Sequence, residues 1–279
     1  MRYPATTHWR GRCHDIKSRE PQRRRYALRL LPVHIEIRLM PRRDSSAHPL
    51  VVLQERVIAC ARCPRLVEYR QKVAREKRRM FRDQEYWGKP LPSFGDSNAS
   101  LLIVGLAPAA HGGNRTGRMF TGDRSGDFLY RALYEAGFSN QALSVRRHDG
   151  LKLAGCYITA ALRCAPPKNK PLPEEMRNCR PYLAEELDLL KGVRAVLALG
   201  RIAFDAYLKV IQETRPTGFE KFPLRSFRFA HGASYEFPAG LPRLFASYHP
   251  SQQNTQTGRL TPAMFRKVIT SIRRYLSSA

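Results

Sequence analysis

Four of the six cysteines in this 279-residue chain form two pairs whose thiols could hold a metal centre. Two residues separate Cys60 from Cys63, and Cys164 and Cys179 follow about a hundred residues later. Thiolates are soft ligands, and four of them satisfy either zinc or an iron–sulfur cluster. The spacing alone does not choose between these centres. Because prolines surround Cys164, we expect it to lie on a loop.

A second group of reactive side chains lies in the glycine-rich segment 105–123. Its five glycines allow the backbone to approach a ligand closely. Phe120 could stack on a flat ligand, and Asp123 could position or deprotonate a water molecule. The segment lacks both the GxxxxGK[ST] phosphate loop and the GxGxxG dinucleotide pattern, which weakens the case for a nucleotide cofactor. A surface loop with glycine turns is the alternative interpretation.

A third candidate segment, residues 249–260, begins with His249 directly after an apolar run. It is polar, and its one basic residue lies near its end. Such side chains suit contacts with duplex DNA, whereas a solvated loop with a structural histidine is the alternative. The candidate DNA contacts are Ser251, Gln252, Asn254, Gln256 and Arg259, together with Arg115 from the glycine-rich segment.

The composition favours a polyanionic partner. Lys and Arg outnumber Asp and Glu by 49 to 23, which gives a net charge of +26. Nucleic acid is the simplest such partner, and an anionic membrane surface is the alternative. The sequence has no apolar run of about 18 residues and no secretory signal pattern, so we expect a cytoplasmic protein without a membrane span. In that compartment, paired cysteines indicate a metal site rather than disulfides.

Residues 1–39 differ from the remainder of the chain. They carry ten Lys or Arg against three Asp or Glu, so the rest of the chain keeps +19 of the net charge. They show no clear hydrophobic periodicity, and Met40 opens a segment that resembles an ordinary N-terminus. We expect a disordered basic extension, or upstream sequence included through a misassigned start codon, with a DNA-binding arm as the alternative. Residues 40–279 are expected to form one domain.

Helical and strand patterns alternate from about residue 50 onward. Short apolar runs predict buried strands at 100–106, 156–162, 193–199 and 244–248. Amphipathic stretches and capping residues predict helices at 51–82, 127–136, from 173 onward, at 201–211 and at 262–276. This alternation predicts an α/β fold with three layers, in which helices cover both faces of a mostly parallel sheet. Ligands of such sheets bind beyond the carboxyl ends of the strands, so we expect the site after Leu106, Leu162 and Tyr248.

These segments resemble the type 5 branch of the uracil-DNA glycosylase superfamily, an iron–sulfur-containing group. The resemblance is carried by residues 105–123, residues 249–260 and the four paired cysteines, and it covers about residues 50–276. It implies a uracil-DNA glycosylase-like fold. It also implies an enzyme that hydrolyses the N-glycosidic bond of uracil in DNA and so initiates base excision repair. We expect the protein to act as a monomer.

The resemblance implies roles for individual residues. Phe120 would stack on the extruded base, Asp123 would orient the attacking water, and His249 would hydrogen-bond the base carbonyl. Asn169 matches another polar position of the active site, and segment 249–260 would wedge into the gap that the base leaves. Small residues would line the base pocket at Gly105, Ala107, Ala109 and Ala110. A 4Fe-4S cluster would be held by Cys60, Cys63, Cys164 and Cys179, whereas Cys13 and Cys156 have no place in the pattern.

Two departures from the wider superfamily bear on substrate range. Ala109 and Ala110 occupy the region where most members carry an acid or asparagine. Ala160 and Ala161 stand where several relatives have an asparagine that reads the edge of uracil. A pocket with fewer fixed hydrogen-bond donors should discriminate less, which predicts that hypoxanthine or other altered bases are accepted alongside uracil.

Two functions from other classes remain as alternatives. Charge and cysteines alone would fit a nucleic-acid-binding module with a structural metal and no catalysis. A zinc hydrolase is disfavoured because four thiolates close the zinc shell and leave no open position.

Overall fold

The sheet at the centre of the fold has six strands. The computed structural model describes residues 48–214, 224–237 and 240–278, which belong to one compact unit, so the extension at 1–39 and Cys13 lie outside the described residues. The strands are β1 (Phe94–Gly95), β2 (Leu101–Gly105), β3 (Cys156–Ala160), β4 (Ala195–Leu199), β5 (Ser234–Tyr235) and β6 (Arg243–Ser247). They lie in the order β1-β3-β2-β4-β6-β5. The four central strands are parallel and the two edge strands are antiparallel, so the predicted mostly parallel sheet is confirmed.

Helices cover both faces of this sheet. They are α1 (Pro49–Ile58), α2 (Pro64–Glu76), α3 (Gly113–Thr116), α4 (Arg124–Glu135), α5 (Pro173–Leu189), α6 (Arg201–Thr214), α7 (Gln252–Gln256) and α8 (Pro262–Ser277). In the part of the chain that the structure describes, none of them could cross a lipid bilayer.

Alternation along the central strands explains the two helical layers. On β2, Leu101 and Ile103 pack with residues of α4 and α8, whereas Leu102 and Val104 pack with residues of α5 and α6. Every residue of β2, β3 and β4 is buried, as expected for parallel strands that are covered on both faces. The three-layer α/β/α prediction is therefore confirmed.

The prediction of one helix over residues 51–82 is wrong. The chain forms α1 and α2 with a break between them, and Cys60 and Cys63 lie in that break. Pro64 explains the break because proline has no amide hydrogen and is tolerated in the first turn of a helix but not in its interior. The helix predicted to begin at residue 127 begins three residues earlier, at Arg124, because Asp123 caps its N-terminus.

A buried ion pair fixes the glycine-rich segment. Two nitrogens of the Arg118 guanidinium donate to the Asp149 carboxylate at 2.9 and 2.7 Å. Arg118 also donates to Thr121 Oγ1 at 3.0 Å and to Ser144 Oγ at 2.6 Å. Phe120 lies between these anchored positions with φ +50°, in the left-handed region. The ion pair therefore ties the backbone on either side of Phe120 to a second loop.

A second buried ion pair lies beneath the cysteines. Arg163 donates to the carboxylate of Glu186, which also accepts from Thr159 Oγ1 at 2.6 Å. Glu186 accepts further bonds from Ser93 Oγ at 2.5 Å and from Gln54 Nε2 at 3.0 Å. Because Thr159 belongs to β3 and Glu186 to α5, this network fixes the residue that precedes Cys164 to the sheet.

The Arg118–Asp149 pair predicts a pH-dependent loss of stability in Asp149→Asn. Burial opposes ionisation, but hydrogen bonds from Arg118 and from the Val145 amide hold the pKa of Asp149 well below its usual range. Breaking a buried pair by removing one charge typically costs about 3 kcal/mol or more. We expect a loss of that size in the free energy of unfolding at pH 7, measured with urea.

The pH dependence separates this effect from lost packing. A depressed pKa contributes stability above the unfolded value of about 3.9 and loses it as the pH falls toward the folded value. The difference between the wild type and Asp149→Asn should therefore shrink as the pH falls below about 5. Asp83→Asn, which alters an exposed carboxylate, is the matched control. A difference that stays constant from pH 7 to acid would contradict this role of the ion pair.

Candidate active site

The candidate site lies where the parallel strands end. Gly105, the last residue of β2, pairs with Ala160, the last residue of β3. Ser247 ends β6, two residues before His249, and pairs with Leu199 of β4. Because the carboxyl ends of parallel strands share one edge of a sheet, the segments that carry Phe120, Cys164 and His249 all leave from this edge.

Phe120 and His249 are neighbours. Their ring centroids are 5.8 Å apart with an interplanar angle of 31°. A Cβ atom on Gly105 would lie only 2.8 Å from Cζ of Phe120, so the ring packs directly on the backbone at the end of β2. The structure thus brings three predicted site residues together, and glycine is needed at 105 for this close approach.

Asp123 uses its two carboxylate oxygens differently. Oδ1 accepts a hydrogen bond from the Gly126 amide at 3.0 Å and caps α4. Oδ2 faces Gly112, where an added Cβ atom would come within 2.0 Å of it. One oxygen therefore holds the helix, and the other borders backbone that carries no side chain. This arrangement fixes the carboxylate without enclosing it in a side-chain ion pair.

Burial sets the protonation states of the two candidate catalytic groups. It raises the pKa of Asp123, although hydrogen bonds from the amides of Gly126 and Ser125 oppose the rise. Burial also lowers the pKa of His249 to about 4. At neutral pH, His249 is therefore a neutral imidazole, which can donate one hydrogen bond and accept another. A neutral donor suits a leaving group that becomes negatively charged.

The four paired cysteines line one small cavity. It lies among Cys60, Cys63, Cys164, Cys179 and apolar side chains that include Leu66 and Leu162. The Arg163 amide donates to Sγ of Cys179 at 3.3 Å, and the Asn178 side-chain amide donates to Sγ of Cys63 at 3.6 Å. The thiols are not in disulfides. Cys156 lies apart from them, fully buried at the start of β3.

Burial disfavours thiolates in this cavity, and two nearby guanidinium groups partly offset that effect. Burial raises the pKa of Cys164 to about 12, and the guanidinium of Arg70 opposes that rise. Burial raises the pKa of Cys179 to about 11, and Arg163 opposes it. Nε of Arg70 and Nε of Arg163 are buried and have no hydrogen-bond partner among the described residues. Arg70 donates to the carbonyls of Gly88 and Cys60 instead of pairing with a described carboxylate.

The cysteine sulfurs are not arranged as ligands of a single ion. In the described ranges, no three His, Cys, Asp or Glu side chains form a group that could hold one metal ion. Thiolates that share one zinc ion bind at about 2.3 Å and so lie close to one another. The four sulfurs around this cavity therefore fit a single zinc ion poorly.

The cysteine cavity and the glycine-rich segment are in contact. Ala107, two residues beyond β2, packs against the apolar cluster that contains Leu162 and Cys179. Ala109 lies further along the same loop, where its carbonyl accepts from the amides of Gly112 and Asn114. Ala110 is half-buried. The predicted pocket residues after Gly105 thus lie between the cysteines and the candidate catalytic groups.

Asn169 lies on an exposed turn after Cys164. The turn, Pro167–Asn169, is one 3-10 turn, and Asn169 has φ +56°. Its side chain makes no hydrogen bond to the described residues. The loop is held from α2, because Arg65 donates to the carbonyl of Lys170 at 3.2 Å and pairs with Glu175. The structure therefore positions the loop but leaves the Asn169 amide in solvent.

Residues of segment 249–260 have different environments. Gln252, Gln256 and Arg259 are exposed, and Ser251 directly precedes α7. Asn254 donates through its side-chain amide to the carbonyl of His249 at 2.8 Å, so it holds the candidate catalytic residue. Arg259 lies over the ring of Tyr248, 4.6 Å from its centroid. The run predicted as a loop contains the short helix α7, in which three of the five residues are glutamine and the Thr255 amide donates to the carbonyl of Ser251 at 3.0 Å.

Arg115 has an internal role. Its three side-chain nitrogens donate to His111 O at 2.8 Å, Gln84 Oε1 at 2.5 Å and Gly122 O at 2.7 Å. Its guanidinium also lies 3.9 Å from the ring centroid of Phe81. Arg115 was predicted as a DNA contact, but it holds the glycine-rich segment in place from within the protein.

The sequence analysis missed the residues that support the site. Arg118, Ser144 and Asp149 carry no motif, and the two partners of the ion pair are 31 residues apart. Glu186 and Arg163 were not predicted either, because a charged residue in an amphipathic helix, or in a loop after a strand, gives no sign that it is buried. The one available signal was the Asp149-Gly150 dipeptide, which is typical of a turn.

Comparison with known proteins identifies the family of this chain. The family model of the uracil DNA glycosylase superfamily matches residues 92–273. A type-5 uracil-DNA glycosylase of Thermus thermophilus is 52% identical over 218 residues, which cover 77% of this chain and 93% of the relative. The type-5 enzyme of Pyrobaculum aerophilum is 48% identical over 214 residues, covering 77% and 88%. A type-4 uracil-DNA glycosylase from the same organism is 31% identical over 160 residues, covering 57% and 64%. The chain therefore belongs to the uracil DNA glycosylase superfamily, and it is about 50% identical to several members named type-5 uracil-DNA glycosylases.

Proposed function

We propose that this protein hydrolyses the N-glycosidic bond between uracil and deoxyribose in DNA and so initiates base excision repair. The observation that carries the proposal is the grouping of Phe120, Asp123 and His249 at the carboxyl edge of the sheet. Membership of the superfamily supports it, as do relatives named type-5 uracil-DNA glycosylases. A non-catalytic nucleic-acid-binding function would leave this grouping without a purpose.

DNA binding and extrusion of the base come first. A base inside the duplex is out of reach, and its removal from the stack costs a few kcal/mol. The excess of basic residues neutralises phosphates along the strand. Exposed side chains of α7 and the exposed Arg259 would contact the DNA, while Phe120 would offer an aromatic face to the extruded base. The protein acts as a monomer in this proposal.

Bond cleavage separates two charges. The C1′–N1 bond of the nucleotide breaks, so the sugar becomes cationic and the uracil leaves as an anion. The neutral imidazole of His249 donates a hydrogen bond to the base carbonyl and stabilises the anion. The Asp123 carboxylate stabilises the sugar cation and orients a water molecule whose oxygen bonds to C1′. Asp123 or solvent takes the proton of that water, and the uracil anion later takes a proton from solvent.

Two substitutions test the assigned groups. We expect His249→Ala and Asp123→Asn each to lower the single-turnover rate on uracil-containing duplex by about 100- to 1000-fold, with DNA affinity retained. Asp127→Asn, on the exposed side of α4 one turn further on, is the control for the Asp123 variant. Full activity in Asp123→Asn would remove this residue from the mechanism.

The pH profile gives an independent check. Because burial raises the pKa of Asp123, the rate should begin to fall at a pH above the usual aspartate value of about 3.9. His249, with a pKa of about 4, should give no inflection near the ordinary histidine value of about 6.5. An inflection near that value in the wild type, absent from His249→Ala, would contradict the neutral-imidazole role.

The proposal includes a 4Fe-4S cluster held by Cys60, Cys63, Cys164 and Cys179. Its support is the shared cavity, the amide donors to two of the sulfurs and the two buried guanidinium groups with unpartnered Nε atoms. Four thiolates and a cluster would supply negative charge near Arg70, which bonds to backbone carbonyls, and near Arg163, which already pairs with Glu186. The cluster would cross-link the α1–α2 break to the loop after β3 and to α5. No step of the reaction passes through it.

Removal of one ligand tests the cluster. Cys164→Ala should lose the absorption of an iron–sulfur centre at roughly 400 nm and should unfold at a lower temperature. Cys156→Ala is the matched control, because this cysteine is buried outside the cavity and its variant should keep the absorption. A colourless wild type that contains zinc would overturn the iron–sulfur assignment and leave the glycosylase proposal intact.

We further propose that the pocket accepts hypoxanthine and related deaminated bases. Ala160 and Ala161 are buried beside Gly105, and their side chains offer no hydrogen-bond donor to a base edge. The Ala161 amide is already used, since it donates to the carbonyl of Gly105 at 2.9 Å. Without such donors, fewer hydrogen bonds to the base edge distinguish one base from another, and selectivity among bases falls.

Matched duplexes test this range. We expect alkali-labile sites in duplexes that contain either uracil or hypoxanthine, with no cleavage of the same duplex carrying the normal base. Single-turnover rates on each substrate give the order of preference. Cleavage of uracil alone would refute broad acceptance. Binding of the uracil duplex without cleavage would instead support the non-catalytic alternative.

A further inference from the structure

A hairpin formed by residues 138–154, which lies outside the predicted site, folds back to the edge of that site. Ser139 and Leu153 form an antiparallel bridge, and the Ala154 amide donates to the carbonyl of Phe138 at 3.0 Å. These arms lead to a tip at residues 141–150, here called the tip loop. The Gly122 amide donates to the carbonyl of Ser144 at 3.1 Å. The tip loop thus lies next to the residue that precedes Asp123.

The tip loop exposes two apolar side chains on a fixed backbone. Leu143 is 48% exposed and Val145 is 61% exposed. Between them Ser144 is buried and bonded to Arg118 and Thr121. Asp149 accepts from the amide of Val145 at 2.8 Å and pairs with Arg118, so the loop is anchored from both ends. Single exposed apolar residues are ordinary, but a pair held rigidly at a site edge indicates a contact surface.

Charge on the tip loop indicates the partner. Arg146, Arg147 and His148 follow directly and are all exposed. Arg147 stacks on Trp87, with 4.5 Å from its guanidinium carbon to the ring centroid, which fixes part of this basic patch. Apolar side chains flanked by basic ones are complementary to stacked bases between phosphates.

The segment predicted to fill the gap left by the base lacks a suitable side chain. Within residues 249–260, Leu260 is the one large aliphatic residue, and it is fully buried. The exposed positions of α7 are all glutamines. Wedges that separate base steps are usually apolar. The tip loop supplies such side chains where segment 249–260 does not.

We propose that Leu143 and Val145 form an apolar wedge that enters the duplex beside the extruded nucleotide, while Arg146 contacts a flanking phosphate. This inference rests on the proposed DNA glycosylase function. A wedge compensates for lost stacking, so it matters only where stacking must be broken. The tip loop therefore acts in extrusion of the nucleotide and has no role in bond cleavage.

The test compares two DNA substrates with the full-length chain. One is a fully paired duplex with a single uracil, and the other places the same uracil within an unpaired bubble, where little stacking must be broken. The double variant Leu143→Ala, Val145→Ala should cleave the paired duplex about tenfold more slowly, with the bubble rate unchanged. Val51→Ala, which trims an equally exposed valine on α1, is the matched control and should equal the wild type on both.

The outcomes are distinct. Equal rates for the double variant and the wild type on the paired duplex, or equal losses on both substrates, would overturn the wedge. Failure of the wild type to cleave uracil in either substrate would instead refute the proposed function.

Arg146→Gln gives a second measurement that does not depend on the double variant folding. Loss of one phosphate contact should reduce the slope of log affinity against log salt by about 0.9. An unchanged slope would remove Arg146 from the interface.

Discussion

The buried ion pair between Arg118 and Asp149 is the interaction on which the rest of the site depends. Its two partners belong to different loops, and it connects both to the backbone around Phe120. Buried ion pairs often contribute little net stability, because desolvation offsets their attraction, but they fix geometry. Here the geometry concerns one strained residue. Phe120 has φ +50°, which surrounding bonds must enforce, and its ring packs on the end of β2.

Glycine backbone makes this close packing possible. An added Cβ atom at Gly105 would lie against the Phe120 ring, and one at Gly112 would lie against the Asp123 carboxylate. At Gly126, it would come within 1.9 Å of the carbonyl oxygen of Phe120. Each of these glycines allows an atom of Phe120 or Asp123 to approach the backbone closely. The site is therefore built from bare backbone, with a small number of side chains fixed by caps and ion pairs.

Local patterns in the sequence predicted the elements well, and contacts across the fold poorly. Apolar runs located the four central strands because parallel strands are buried on both faces. The helix predicted over 51–82 failed because helical periodicity on both sides of Pro64 masked the break. The paired cysteines were predicted to meet, and they line one cavity. Asp123 and His249 could be chosen because each lies at the end of a strand or the start of a helix.

The supporting residues could not be found in this way. Arg118 and Asp149 meet only because the hairpin 138–154 folds back onto the glycine-rich segment, and no spacing in the sequence encodes that return. The same reason explains Arg115, whose basic charge favoured a surface position. Its guanidinium finds three acceptors inside the protein, so desolvation is compensated and burial becomes possible. Charge alone favours an exposed position for a residue such as Arg115, but the tertiary contacts decide whether its side chain is exposed or buried.

The cysteine cavity is connected to the candidate site by packing and hydrogen bonds. Ala107 joins its apolar surroundings to the loop that carries Asp123, and the Arg163–Glu186 network joins it to Thr159 on β3. Arg65 of α2 donates a hydrogen bond to the carbonyl of Lys170, in the loop that carries Asn169. A centre bound by the four thiols would hold three separate parts of the chain at the carboxyl edge of the sheet. Because the candidate catalytic groups depend on that edge for their positions, such a centre needs no electron transfer to be essential for activity.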